Sequence, residues 1–116
     1  MARMHDKIEE VAQLTQRLKA DYPTEIDSFL NFMSKAEEGP ALDARQKELI
    51  NVGLAVAAQC EWCIAFHVKN AVRAGATAAE IVEAGFQAVI MHGGPAFMWM
   101  TPLMHAVDEF APTKPA

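Results

Sequence analysis

Apolar residues recur every three to four positions along most of this chain, which is the period of an α-helix. The first such stripe contains Ile8, Val11, Leu14 and Leu18, and it predicts a helix over residues 6–20. Alternating runs rich in Val, Ile and Thr, which indicate β-strands, are absent, and alanine is the commonest residue. The pattern therefore predicts an all-α fold.

The second and third predicted helices are separated by a Gly-Pro pair, which breaks helices. The second helix is predicted to begin around Pro23, with Thr24 as its N-cap. The third is predicted to begin near Asp43, because Asp43 and Gln46 have the spacing of a capping box. Its second half, residues 52–58, is apolar on all sides, which predicts burial on every side.

The fourth and fifth predicted helices have clear end signals. Helix four is predicted to begin at about Cys60 and to end at Gly75, a residue type that favours the position after a helix. Helix five is predicted to begin after Thr77, with Glu80 as its capping-box partner, and to stop at Gly93.

Helix six is rich in large apolar side chains and is predicted to carry Pro95 in its first turn. Pro102 is predicted to kink or split it, because proline cannot donate the helical hydrogen bond. Residues 111–116 are predicted to be a frayed tail. The chain is thus expected to be a single domain, 1–116, of about six helices.

Large apolar residues are more abundant than a chain of this length can bury by itself. Of its 116 residues 52% are hydrophobic, and a domain of this size buries only about two thirds of its unfolded surface. Helices three and five are apolar on nearly every face, and positions 97–100 carry Phe, Met, Trp and Met in succession. Four consecutive helical positions point in different directions, so one core covers only some of them. These faces predict a closed homo-oligomer.

Charge and hydropathy exclude two classes of partner. The net charge is −5, from 10 basic and 15 acidic residues, and no basic patch is visible, so we expect no nucleic-acid partner. No apolar stretch approaches the roughly 18–20 residues of a membrane span, so we expect no membrane partner. The first residues lack the apolar centre of a signal peptide, so a cytoplasmic location is expected.

The most informative segment holds the only two cysteines and a histidine at the start of helix four. Cys60, Cys63 and His67 stand at positions i, i+3 and i+7, which share one helix face. The cysteines are close enough to form a disulfide, and a thiolate there would feel the positive end of the helix dipole. His67, one turn beyond Cys63, can accept the proton of that thiol. This arrangement predicts thiol redox chemistry without a cofactor.

Two other interpretations of this segment stay open. The pair could join His67 and His92 in a zinc site, although zinc sites usually take a second closely spaced ligand pair. The two cysteines could instead only pack in the core, as cysteine often does. Because chance rarely places these three residue types on one face at a helix start, we favour redox chemistry and predict no bound metal.

The spacing of Glu48, Cys60, Cys63 and His67 resembles the signature of the AhpD-like alkylhydroperoxidases of the carboxymuconolactone decarboxylase superfamily. The resemblance continues through alanine-rich segments and a glycine-rich turn, at residues 69–71, 74–77, 80–84 and 91–96. It covers roughly residues 42–104. It implies an all-helical fold whose subunits form a homotrimer or a homohexamer built as a trimer of dimers, with the hexamer favoured for a chain this short.

The resemblance also implies an activity and assigns roles. The protein would be a thiol-dependent peroxidase or disulfide reductase, supplied by a dithiol, thioredoxin-like or lipoyl electron donor and acting on a peroxide or disulfide. Cys63 would attack, Cys60 would resolve and meet the donor, and His67 and Glu48 would relay the proton. Position alone favours Cys60 as the low-pKa thiol, because it lies nearer the helix end. Without the resemblance, the position of Glu48 in the first turns of helix three would predict only a solvent-exposed glutamate that favours the helix dipole.

One position departs from the family. Where the family's best-known members have a second histidine between the cysteines, this chain has Trp62, preceded by Glu61. Tryptophan cannot relay a proton, and a neighbouring carboxylate disfavours a thiolate. This departure argues against strong peroxidase activity and leaves general dithiol–disulfide exchange intact. Two further alternatives are a lactone decarboxylase-like lyase and a non-catalytic metal-binding or redox-sensing module.

Overall fold

Seven α-helices make up most of residues 3–111, which are the residues described by this computed structural model, and no strand occurs among them. The prediction of an all-α domain is therefore confirmed. In chain order the helices are α1 (Met4–Asp21), α2 (Pro23–Glu38), α3 (Ala44–Ala57), α4 (Glu61–Arg73), α5 (Ala78–His92), α6 (Gly94–Met98) and α7 (Met100–Phe110).

Local capping chemistry determines where α3 and α5 begin, as predicted. Asp43 accepts a hydrogen bond from the backbone N–H of Gln46, and the Gln46 side chain accepts one from the N–H of Asp43. Thr77 and Glu80 form the same reciprocal pair before α5. Gly75, just after α4, has φ +98°, a backbone conformation that L side chains rarely adopt.

The second helix begins at Pro23, as predicted, but its predicted N-cap is wrong by two residues. Thr24 is not an N-cap: the cap is Tyr22, which offers no side-chain hydrogen bond, and the helix begins at Pro23. Proline suits the first helical position, because its fixed φ matches the helix and its missing N–H needs no partner there. Thr24 therefore lies inside the first turn.

The predicted sixth helix is two helices, α6 and α7, separated at Trp99. Pro102 explains the break, because it has no N–H for the carbonyl of Met98 and its ring would clash with that carbonyl. The new helix begins at Met100, so Pro102 occupies its first turn. Of the predicted tail, residues 112–116 lie outside the described residues.

The core is centred on α4, which packs against α3, α7 and α1, while α3 also packs against α5. Ile64, Ala65 and Val68 of α4 are fully buried. They meet buried side chains of the surrounding helices, including Val52, Val56, Ile81 and Leu103. The helix that carries the cysteines is thus packed against three other helices of the domain.

The predicted all-round burial of helix three is wrong for the isolated chain. Val52 and Val56 are buried, but Leu54 is 60% exposed and Ile50 is 49% exposed on the opposite side. One core of this size covers one side of α3 only.

The first helix is fastened to the last by a carboxylate. Glu109 of α7 accepts hydrogen bonds from the backbone N–H groups of Met4 and His5, at 3.0 and 2.8 Å. These N–H groups at a helix start have no partner within their own helix. The contact fixes the start of α1, which then runs alongside α4.

Candidate active site

The two cysteines occupy the N-terminal end of α4 and are joined by a disulfide. Cys60 is the N-cap and Cys63 lies in the first turn, with their Cα atoms 5.2 Å apart. Gln59, with φ 57°, turns the chain sharply between α3 and α4 and sets Cys60 in this position. The sequence spacing predicted this closeness correctly.

The Cys60 sulfur also acts as a capping group. Its Sγ accepts a hydrogen bond from the backbone N–H of Cys63 at 3.1 Å. After reduction, a thiolate at Cys60 would therefore face both an N–H donor and the positive end of the helix dipole, which favour its charged form.

His67 lies one helical turn beyond Cys63 and is oriented by Glu48 of α3. Its Nδ1 is 2.8 Å from Glu48 Oε1. Because a carboxylate oxygen accepts, Nδ1 donates, which assigns the tautomer and leaves Nε2 able to take a proton. The two side chains are only 21% and 15% exposed, so the pair is largely shielded from water. The structure thus brings these two predicted site residues together.

Two neighbours of this pair were not identified from the sequence. Asn51 Nδ2 lies 3.4 Å from the same Glu48 oxygen, and the Phe66 ring meets the His67 ring edge-on, with centroids 5.2 Å apart. Asn51 is one helical turn from Glu48, a spacing that could have indicated the contact. Both neighbours restrict how the pair can move.

The two residues between the cysteines are contacted by α1, which the sequence did not indicate. Lys7 Nζ lies 2.9 Å from Glu61 Oε2 and 5.1 Å from the centre of the Trp62 ring. Glu10 Oε1 accepts a hydrogen bond from Trp62 Nε1 at 2.7 Å. The carboxylate beside the cysteines therefore has a cation of its own.

His92, which the zinc alternative required, lies elsewhere. It is exposed at the end of α5 and lines a groove of about 590 Å³ between α3 and α5, with Leu54 and Met91. No group of three or more His, Cys, Asp or Glu side chains within residues 3–111 is placed to hold a metal ion. The histidine that the structure places on the cysteine helix is His67.

Glu80, at the edge of the same groove, is an electrostatic feature of the fold. The backbone N–H of Thr77 lowers the pKa of its carboxyl below the ordinary 4.5, and the Arg45 guanidinium, which pairs with it, lowers it further. Both contacts join α3 to the start of α5, so this carboxylate has a structural task.

None of the helices within the described part of the chain is both long enough and apolar enough to cross a membrane.

Comparisons with known proteins agree with one another. A family model described as the carboxymuconolactone decarboxylase family matches residues 24–106. "Uncharacterized protein 4 in cox locus" of Paracoccus denitrificans is 41% identical over 83 residues, 72% of this chain and 75% of that one. An uncharacterised protein of Cupriavidus necator is 34% identical over 86 residues, 74% of this chain and 76% of that one.

A solved structure extends the likeness to the fold. The crystal structure of an apo carboxymuconolactone decarboxylase family protein from Legionella pneumophila has a TM-score of 0.88 and 32% sequence identity to this chain. The match covers 93% of this chain and 96% of that one.

Proposed function

The chain belongs to the carboxymuconolactone decarboxylase family, and from that premise we propose that it is a thiol-dependent oxidoreductase. It would reduce an organic hydroperoxide or a disulfide at the expense of a dithiol donor. The observation that carries this proposal is the Cys60–Cys63 disulfide at the start of α4, one turn from a histidine that a carboxylate orients. The family name alone would equally allow a lyase, but a lyase has no need of the disulfide.

The first step oxidises Cys63. His67 Nε2 takes the thiol proton, and the thiolate sulfur attacks the outer oxygen of the hydroperoxide. The O–O bond breaks, Cys63 becomes a sulfenic acid, and the alkoxide leaves as an alcohol with the proton from His67. Glu48 stabilises the imidazolium formed in between. Two electrons have passed from sulfur to oxygen.

The second step closes the disulfide. The Cys60 thiolate attacks the Cys63 sulfur, an S–S bond forms and the S–O bond breaks. The oxygen leaves as hydroxide and becomes water with the proton that the Cys60 thiol released. The N-cap position suits Cys60 for this task, because the N–H of Cys63 and the helix dipole favour its thiolate. With a disulfide substrate, Cys63 attacks a substrate sulfur instead, and Cys60 then releases the second substrate thiol from the mixed disulfide.

An external dithiol completes the cycle. One donor thiolate attacks Cys60, Cys63 leaves as a thiolate, and the second donor thiol displaces Cys60 from the mixed disulfide. The donor is oxidised and both cysteines are reduced. A thioredoxin-like or lipoyl dithiol has the required chemistry. The cycle needs a steady supply of reduced dithiols, which is why we place it in the cytoplasm.

We further propose that the working form is a homo-oligomer, a trimer or a hexamer. Large apolar side chains remain exposed on several helices of the single chain, among them Phe29, Leu54, Ile90, Phe97 and Met98. Burying a large apolar side chain is worth about 1.5–3 kcal/mol. Identical chains that share such faces close by symmetry.

Turnover assays test the activity. An alkyl hydroperoxide and a small disulfide are each supplied with dithiothreitol, dihydrolipoamide or reduced thioredoxin, and donor oxidation is followed. We expect turnover with at least one pair of substrates, and none in Cys63→Ser or Cys60→Ser.

Two outcomes would contradict the assignment. A reaction that survives in Cys63→Ser would favour a lyase-like activity. Stoichiometric zinc in the purified protein, without turnover, would favour the metal-binding alternative.

A further inference from the structure

Both residues between the cysteines are held by one turn of α1. Lys7 pairs with Glu61 at 2.9 Å and lies over the Trp62 ring, and Glu10 accepts the Trp62 Nε1–H. The Lys7 side chain is only 15% exposed, whereas that of Glu61 is 42% exposed. The Lys7 ammonium therefore has a carboxylate and an aromatic ring face against it.

The charges of Lys7 and Glu61 bear on how readily the thiols of Cys60 and Cys63 ionise. Glu61 directly follows Cys60 and precedes Cys63 by two residues, so its negative charge disfavours a thiolate at either position. Lys7 supplies a positive charge at the same place. Glu10 of α1 adds a carboxylate against Trp62, and the Glu48–His67 pair of α3 and α4 lies about one helical turn beyond Cys63.

We propose that Lys7 is a positioning residue for the redox pair, because it holds Glu61 and Trp62 in place and neutralises the carboxylate next to the reactive sulfurs. This inference rests on the proposed function. It explains how the chain tolerates Glu61 beside a thiol that must ionise. It also makes α1, outside the segment with the Glu-Cys-Cys-His pattern, a part of the site.

A purely structural role for Lys7 makes a different prediction. The start of α1 is already fastened by Glu109, and Met4 at its start is buried in the core. If Lys7 only helped α1 to dock, then removing either member of its ion pair would disturb the cysteines in the same direction. If it neutralises Glu61, the two removals have opposite effects.

Thiol pKa values of the reduced protein separate these two cases. The rate of alkylation by iodoacetamide is measured across pH for the wild type, Lys7→Gln, Glu61→Gln, the double variant and Lys7→Arg. Lys19→Gln is the matched control, because Lys19 is an exposed lysine of the same helix that pairs with Asp27. Thermal unfolding of each variant reports on docking.

We expect Lys7→Gln to raise the pKa of the Cys60 and Cys63 thiols and to slow their alkylation near neutral pH about threefold. This factor corresponds to the free energy of a partly exposed ion pair. Glu61→Gln should lower the thiol pKa and speed alkylation by a similar factor. The double variant and Lys7→Arg should lie close to the wild type. Lys19→Gln should change nothing.

Shifts of the same sign in the two single variants, or no shift in either, would overturn the role of Lys7. This result is separable from a failure of the proposed function, because alkylation needs no substrate. A wild-type protein whose cysteines do not close a disulfide under oxidant would defeat the proposed function itself.

Discussion

Replacing Glu48 with Gln should slow the reaction of Cys63 with peroxide while leaving the fold intact. The Gln side-chain oxygen can still accept the hydrogen bond from His67 Nδ1, so the ring keeps its orientation. What is lost is the negative charge 2.8 Å from that nitrogen. The imidazolium that forms when His67 takes the thiol proton is then less stable.

The size of the effect follows from the geometry. Charge centres about 4 Å apart interact by about 4 kcal/mol at an effective dielectric constant of about 20. Since the two side chains are 21% and 15% exposed, water screens part of this interaction. A remaining effect of about 2–3 kcal/mol corresponds to a rate loss of about 30- to 150-fold. General acid–base help is worth about 10²-fold or more, in agreement.

Single-turnover kinetics measure this loss directly. The reduced protein is mixed with an alkyl hydroperoxide at several pH values, and loss of free thiol is followed over time. Glu83→Gln is the control, because Glu83 is an exposed glutamate of α5. Thermal unfolding shows whether the fold is intact. A Glu48→Gln rate within twofold of the wild type at neutral pH would refute the relay.

Three further outcomes are expected. Ile64, beside Cys63, is fully buried. Ile64→Ala should therefore lower the free energy of unfolding by about 2–5 kcal/mol in urea denaturation of the oxidised protein. A loss below about 1 kcal/mol would contradict the assignment of Ile64 to the core. Glu80 has a lowered pKa in the fold, so its stabilising effect is complete above pH 4.5 and is lost as the pH falls through the lower folded value. Glu80→Gln should therefore flatten the acid-side fall in melting temperature, and an unchanged slope would contradict this. Light scattering should give a trimer or hexamer for the wild type and a smaller assembly for Leu54→Arg, whereas a monodisperse wild-type monomer would show that these apolar faces are misassigned.

The features that the sequence predicted well depend on residues close together in the chain. Asp43 with Gln46 and Cys60 with Cys63 are three residues apart, so helix geometry alone brings each pair together. Glu48 is different, because its contact with His67 joins two helices across 19 residues. Periodicity cannot reveal such a pair, and only the family resemblance indicated it.

The features that the sequence missed depend on how helices dock. Glu10 and Trp62 are 52 residues apart, and their contact exists only because α1 runs alongside α4. The burial of α3 was overestimated for a related reason. The apolar pattern of residues 52–58 does not show which side of the helix the core of one chain covers, and Leu54 is 60% exposed.

The central claim is that Cys60 and Cys63 form a reversible disulfide within one chain, driven by substrate. Treating the reduced protein with one equivalent of alkyl hydroperoxide, followed by thiol titration and intact mass measurement, tests it most directly. We predict the loss of two thiols per chain, a mass lower by two hydrogens, and full recovery of both thiols with a dithiol. Two thiols that stay free, or bonds that form only between chains, would contradict the account.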